Sequence, residues 1–158
     1  LHSAFQSSCV WYFRKVIDHV APDTMQQQLD RLQYGNGDIS EWEGRGFNPP
    51  GIDGFWLESS LEISPLEQVE VISRIFEGQT AFDTKDIAVV KELMRAEPID
   101  DVSVFGKTGS GNGGWYVGFL EAGDQTVYFA IRLNMHEGAN GQAAKRILYR
   151  IAAEAVAG

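Results

Sequence analysis

The sequence predicts an α+β fold in which helices pack on an antiparallel sheet. Three observations carry this. Apolar residues recur at helical spacing through the first two-thirds of the chain, the pattern switches to period two between Val102 and Leu133, and helical spacing returns from Gly141 onward. The length of 158 residues suits one domain. With 44% hydrophobic residues, including nine Phe, five Tyr and four Trp, the chain has ample core material, which excludes disorder as its main state.

Taken in order, residues 4–20 read as one helix with Val10, Phe13, Ile17 and Val20 on its apolar side. Pro22 and Asp23 interrupt it. Thr24 with Gln27 then resembles a capping box and opens a short helix carrying Met25, Leu29 and Leu32, stopped by the turn chemistry of Tyr34-Gly35-Asn36-Gly37. Residues 37–54 hold Gly37, Gly44, Gly46, Gly51, Gly54 and Pro49-Pro50, a long irregular loop that Trp42 and Phe47 are expected to pin down. Ser64-Pro65-Leu66-Glu67 is a strong helix start, with Leu66, Val69, Ile72 and Phe76 forming the apolar face and Gly78 ending the helix. Thr84 opens another helix with Ile87, Val90 and Met94 inward, ending before Pro98. Val102 and Val104 then alternate toward Lys107. Trp115–Glu121 and Thr126–Leu133 read as a hairpin with a four-residue turn at Ala122-Gly123-Asp124-Gln125. Residues 141–156 close the chain as a helix with Ala144, Ile147, Ile151 and Val156 on one side.

Composition excludes several classes of function. A net charge of −9 lacks the basic face that nucleic-acid binding needs and disfavours adsorption to anionic lipid. No apolar run approaches the roughly 18–20 residues of a membrane span. Cys9 is the only cysteine, so no internal disulfide or multi-cysteine zinc site forms. His2, His19 and His136 share no metal-ligand spacing, and no metal is expected.

The candidate chemistry lies in short motifs that are weak one by one. Lys107-Thr108-Gly109 is not a phosphate loop, because Asp101 stands five residues before Gly106 and the segment leads into strands rather than a helix. Its other known use is beside a serine nucleophile at the end of an inner strand. There the Lys supplies positive potential, the Thr hydroxyl binds a carboxylate and the Gly lets substrate lie along the strand. Taken alone, the tripeptide is more often a glycine-rich turn with a solvated lysine. Ser8-Cys9-Val10, Tyr34-Gly35-Asn36, Phe55-Trp56-Leu57-Glu58 and Gly114-Trp115-Tyr116-Val117-Gly118 likewise have ordinary structural readings.

Their order is more informative: Ser-x-Val, Tyr-Gly-Asn, Phe-Trp-Leu-Glu with Ile63-Ser64, Lys-Thr-Gly, then Gly-Trp-x-Val-Gly. This succession resembles the class D β-lactamases (oxacillinases) and the related penicillin-sensing domains of bacterial signal transducers. The likeness runs from about Ser3 to the last helix and is most specific from Tyr34 through Ser64 to Glu70. The family's nucleophile lies in Ser-x-x-Lys, upstream of Ser-x-Val, and no Ser or Thr of this chain has Lys three residues later. With the abrupt start at Leu1, this implies a partial domain over residues 1–158. The missing segment of the same domain would hold the nucleophilic serine, its lysine and the first strands of the sheet.

The resemblance implies a mechanism. The motif lysine is carboxylated by carbon dioxide, the only modification expected, and acts as general base for a serine that forms an acyl-enzyme with a β-lactam. Carbamate formation needs a neutral amine, which burial favours. Val10 would desolvate the lysine, and the indole N–H of Trp56 would hold the carbamate by a charge-assisted hydrogen bond. Ser8, between the nucleophile and Lys107, would pass a proton to the leaving nitrogen. Lys107 would draw the anionic substrate, Thr108 would bind its carboxylate, Gly109 would leave it room, and the backbone N–H of Ser110 would form half the oxyanion hole. The arginine clamp of many oxacillinases aligns with Ala144, and Lys145 and Arg146 point elsewhere on the helix. Three readings follow: a hydrolase, a sensor that stays acylated, and an inert scaffold. The apolar Val10 favours the hydrolase, since sensors tend toward Ser-x-Asn. Val10-Trp11-Tyr12-Phe13 and Leu66-Glu67-Gln68-Val69 are similar to sensors and Gram-positive enzymes. The isolated residues are expected to be inactive, and the parent protein to work outside the cytoplasm.

Overall fold

The structure, a computed structural model, describes residues 1–44 and 54–157, with side chains to residue 155. Gly46, Phe47, Pro49, Pro50 and Gly51 of the expected long loop, and the side chain of Val156, lie outside the described residues. The fold is α+β as expected, with six helices and a three-stranded antiparallel sheet among the described residues. None of these helices is long and apolar enough to cross a membrane. The chain forms two compact units, Leu1–Glu67 and Gln68–Gly158.

The first unit is helix and loop. The single helix expected over residues 4–20 is two, α1 (His2–Gln6) and α2 (Val10–Ile17). The break is a Schellman motif: Ser8 adopts a left-handed φ of 51°, its N–H donates to the Phe5 carbonyl (3.1 Å), and the Cys9 N–H donates to the Ala4 carbonyl (2.9 Å). Periodicity could not show this, because Phe5 and Phe13 keep apolar continuity across the break and pack edge to face at 6.3 Å. Helix α3 (Pro22–Leu32) starts two residues before the expected Thr24. Pro22 occupies the first turn, where its missing N–H costs nothing, so no capping box at Thr24 is used. Gln33, at φ 51°, ends α3 in a second Schellman motif, and the Gly37 N–H closes the Tyr34–Gly37 turn on the Tyr34 carbonyl at 3.0 Å.

The capping box at the start of α4 (Pro65–Phe76) forms as expected: the Ser64 N–H donates to Glu67 Oε2 (2.8 Å), and the Glu67 N–H donates to Ser64 Oγ (3.3 Å). Gly78, at φ 71°, ends the helix. Its buried residues are Val71 and Ile72, whereas Leu66, expected inward, is 70% exposed in the first turn. Helix α5 (Thr84–Met94) is capped by the Asp83 carboxylate on the Lys85 N–H. It buries Leu93 and Met94, and Val90 faces out instead of in. In both helices the apolar stripe is wider than the face that packs.

The sheet has the order β1 (Ser103–Gly111), β2 (Gly113–Ala122), β3 (Gln125–Leu133). Pairing of Ala122 with Gln125 shortens the expected four-residue turn of the β2–β3 hairpin to the two residues Gly123-Asp124, with Gly123 at φ 61°. Val104, Tyr116 and Phe129 share a core cluster with Ala144, Leu148 and Ala152 of α6 (Gly141–Ala157). On the opposite face Phe105 and Phe119 stack at 4.8 Å, with Phe76 against Phe119 at 4.6 Å. Lys91 lies over Phe105 and pairs with Glu121 at 2.7 Å. Helix α6 does not present the expected Ile147 and Ile151, which are 39% and 57% exposed; Leu148 and Ala152 continue the buried line from Ala144. That line follows i, i+4, i+8, and the small Ala144 and Ala152 let the helix approach the sheet closely.

Candidate active site

The expected site residues fall in both compact units. Ser8, Val10 and Trp56 belong to the first, and Lys107, Thr108, Gly109 and Ser110 to the second.

In the first unit, Ser8 is exposed at the left-handed joint between α1 and α2, and Val10 is the first residue of α2. Trp56 sits in the loop 54–63, which is clasped along its length. At one end Asn36 acts almost as a strand. Its N–H donates to the Glu62 carbonyl (2.9 Å), its Nδ2 to the Ser60 carbonyl (2.8 Å), and its Oδ1 accepts from the Glu62 N–H (3.0 Å). Tyr34-Gly35-Asn36 is therefore both the expected turn and the fastening of the Trp56 loop. In the middle, Ser59 Oγ donates to Glu41 and Ser60 Oγ donates to the Asp38 carbonyl (2.9 Å). At the other end Trp42 stacks on Phe55 at 5.0 Å, so the expected packing role of Trp42 is met. Held in this way, Trp56 Nε1 is buried and has no hydrogen-bond partner among the described residues. A buried N–H of this kind is costly unless a partner arrives.

Sequence reading missed Arg14. It is buried at 5% exposure on α2, where Nε donates to Asp18 (2.9 Å), Nη1 to the Trp42 carbonyl (3.0 Å) and Nη2 to Glu43 (3.1 Å). The available signal was a charge one turn after Val10, inside the apolar stripe, with an acid four residues further on.

In the second unit, β1 carries Lys107–Ser110 as an edge strand. The Ala96 N–H donates to the Val104 carbonyl at 2.9 Å, and Arg95 bridges Phe105 in antiparallel sense. Those contacts set the alternation of β1: Val104, Gly106, Thr108 and Ser110 turn their N–H and C=O away from β2, toward the outer edge. The Ser110 N–H is thus aimed along the same edge as the Thr108 carbonyl, which accepts from Lys107 Nζ at 2.8 Å. Lys107 is half-buried, and desolvation pushes its ammonium below the usual lysine range. The Thr108 and Ser110 side chains lie on the α6 face, where Ser110 Oγ accepts from the Gly141 N–H at 2.9 Å. The expected clamp position Ala144 is fully buried, and Lys145 lies over the Tyr149 ring at 5.2 Å.

The class this defines is an α+β domain with Lys-Thr-Gly on an edge strand that meets the N-terminus of its last helix. The chain belongs to the family of penicillin-binding protein transpeptidase domains, whose family model matches residues 1–153. Within that family its relatives are class D β-lactamases and BlaR/MecR1 sensors. The methicillin resistance mecR1 protein of Staphylococcus aureus is 35% identical over 98% of this chain and 26% of its own length. The structure of the class D β-lactamase from Bacillus subtilis matches with a TM-score of 0.81 and 33% identity, over 95% of this chain and 60% of that one. The C-terminal domain of the Bacillus licheniformis BlaR penicillin-receptor matches with a TM-score of 0.81 and 32% identity, over 95% of this chain and 59% of that one. The chain thus spans about a quarter of the mecR1 protein and about three-fifths of the solved domains.

Proposed function

We propose that these residues form part of a domain that opens β-lactams through a serine acyl-enzyme and hydrolyses them. The nucleophilic serine and its carboxylated lysine stand outside the 158 residues, on a segment of the same domain. The observation that carries this reading is Trp56 Nε1, a buried donor without a partner among the described residues, which suits an anionic acceptor such as a lysine carbamate. The carbamate supplies general-base chemistry.

The residues of this chain have the following parts. Trp56 donates its indole N–H to the carbamate, and Val10 shields the lysine from water. Ser8 Oγ passes a proton to the departing lactam nitrogen. The Lys107 ammonium draws the substrate carboxylate, and the Thr108 hydroxyl donates to it. Gly109, with no side chain, lets the substrate lie along β1, and the Ser110 N–H donates to the carbonyl oxygen as negative charge develops there. No step needs a metal or a nucleic-acid partner, and β-lactams place the protein outside the cytoplasm.

A second reading, a receptor acylated without turnover, is favoured by the match to the BlaR penicillin-receptor domain over 95% of this chain. Intact-mass spectrometry of the full-length protein carrying these residues, followed over time after penicillin is added, separates the two. A penicillin-sized adduct that appears and clears is expected. An adduct that persists would replace hydrolysis with the receptor reading, and no adduct at all would overturn both.

A further inference from the structure

We propose that Arg14 is a positioning residue for Trp56, keeping the indole N–H available to the anion it serves; this rests on the proposed function. Burying a guanidinium is costly, and a well-packed apolar residue in such a place is often neutral or stabilising. Two of its acidic partners, Asp18 and Glu43, have side chains 48% and 80% exposed.

The distinctive contact is the one to the Trp42 carbonyl, 28 residues away in sequence. Gly54 shows what is gathered there. A Cβ on Gly54 would stand 2.7 Å from Arg14 Nη1, 3.0 Å from the Trp42 carbonyl oxygen and 3.0 Å from Trp56 Nε1. The guanidinium, the carbonyl and the indole N–H therefore crowd onto one side of one α-carbon, where an added Cβ would press on all three.

Among these three groups there are two donors and one acceptor. Arg14 takes the acceptor, since Nη1 donates to the Trp42 carbonyl. The indole N–H is left without a partner among the described residues. Without Arg14, the Trp42 carbonyl loses its donor beside the same α-carbon, and a Trp56 turned toward that carbonyl no longer donates to the carbamate. The stack of Trp42 on Phe55, which is 3% exposed and precedes Trp56, ties the same carbonyl to the loop.

The test uses the full-length protein in ¹³C-bicarbonate, with the lysine carbamate read by carbon NMR as bicarbonate is titrated. A hydrogen bond to a charged group is worth a factor of roughly 10–100 in an equilibrium. Arg14→Met is therefore expected to raise the bicarbonate needed for half carboxylation by about tenfold or more, and Trp56→Phe by as much. The double variant should be no worse than Trp56→Phe alone, because both remove one interaction. Arg14→Lys, which retains a donor for the Trp42 carbonyl, should recover part of the loss and serves if Arg14→Met does not fold. An unchanged bicarbonate requirement in both Arg14 variants, or losses that add to that of Trp56→Phe, would overturn the proposal. Absence of any carbamate in the wild-type protein would instead overturn the proposed function on which it rests.

Discussion

Lys107 shows how one side chain connects burial to pH. Half-burial on β1 pushes its ammonium below the usual lysine range. The folded protein therefore releases this proton at lower pH than the unfolded chain. Between the two values the unfolded state holds more protons, so the contribution of Lys107 to stability rises with pH across that window. In the role proposed for Lys107, activity runs the other way, because only the ammonium draws an anion. The rate of acylation of the full-length protein by penicillin should fall on the alkaline side with a midpoint below the roughly 10.4 of a free lysine. Lys107→Arg, whose guanidinium stays charged, should lose that alkaline limb. A limb that is identical in the Arg variant would assign it to another group.

At the scale of elements, two helix ends of the first unit carry a backbone cost. Schellman motifs favour glycine, yet Ser8 and Gln33 hold left-handed φ of 51° where Gly78 in the second unit does not strain. A non-glycine residue there loses roughly 1–2 kcal/mol. At Ser8 the sequence keeps a hydroxyl at a position glycine would fill more comfortably, which fits a residue retained for chemistry. Ser8→Gly is expected to gain about 0.5–1 kcal/mol in urea unfolding, after the entropy glycine adds to the unfolded chain. Ser8→Ala should gain nothing. Both should slow acylation alike, since both lack the hydroxyl. If Ser8→Ala acylates as fast as wild type, the proton-relay role is lost.

At the scale of the whole molecule, the sheet of the second unit is covered on both faces, and the close approach of α6 depends on small residues. Ala144 is wholly buried, and Leu148 is 6% exposed against the sheet. Leu148→Ala should cost about 2–5 kcal/mol through the cavity it leaves. Ala144→Leu should cost about 1–3 kcal/mol by overpacking. Denaturant midpoints measure both, and a near-neutral result at either position would refute this packing of α6. Gly106 belongs to the same tightness, because a Cβ there would stand 2.6 Å from the Tyr116 ring. The phenol of Tyr116, buried beneath α6, is held well above the usual tyrosine range by desolvation.

The sequence by itself determined what is local. The Ser64–Glu67 capping box, the Gly78 stop, the three strands and their hairpin, the closing helix and the run Lys107–Ser110 were legible because caps, turns and periodicity act over a few residues. The order of short motifs was enough to place the family. Tertiary structure alone decided which part of each apolar stripe is inside, turning Leu148 rather than Ile147 to the sheet and leaving Leu66 and Val90 exposed. A helix offers a broad stripe, and the facing surface chooses within it. It alone also brought Arg14 to the Trp42 carbonyl, Asn36 to residues 60–62, and the Trp56 N–H to a buried place without a partner among the described residues. These contacts join residues more than twenty positions apart, and a hydrogen bond acts across space, where sequence periodicity leaves no trace of it.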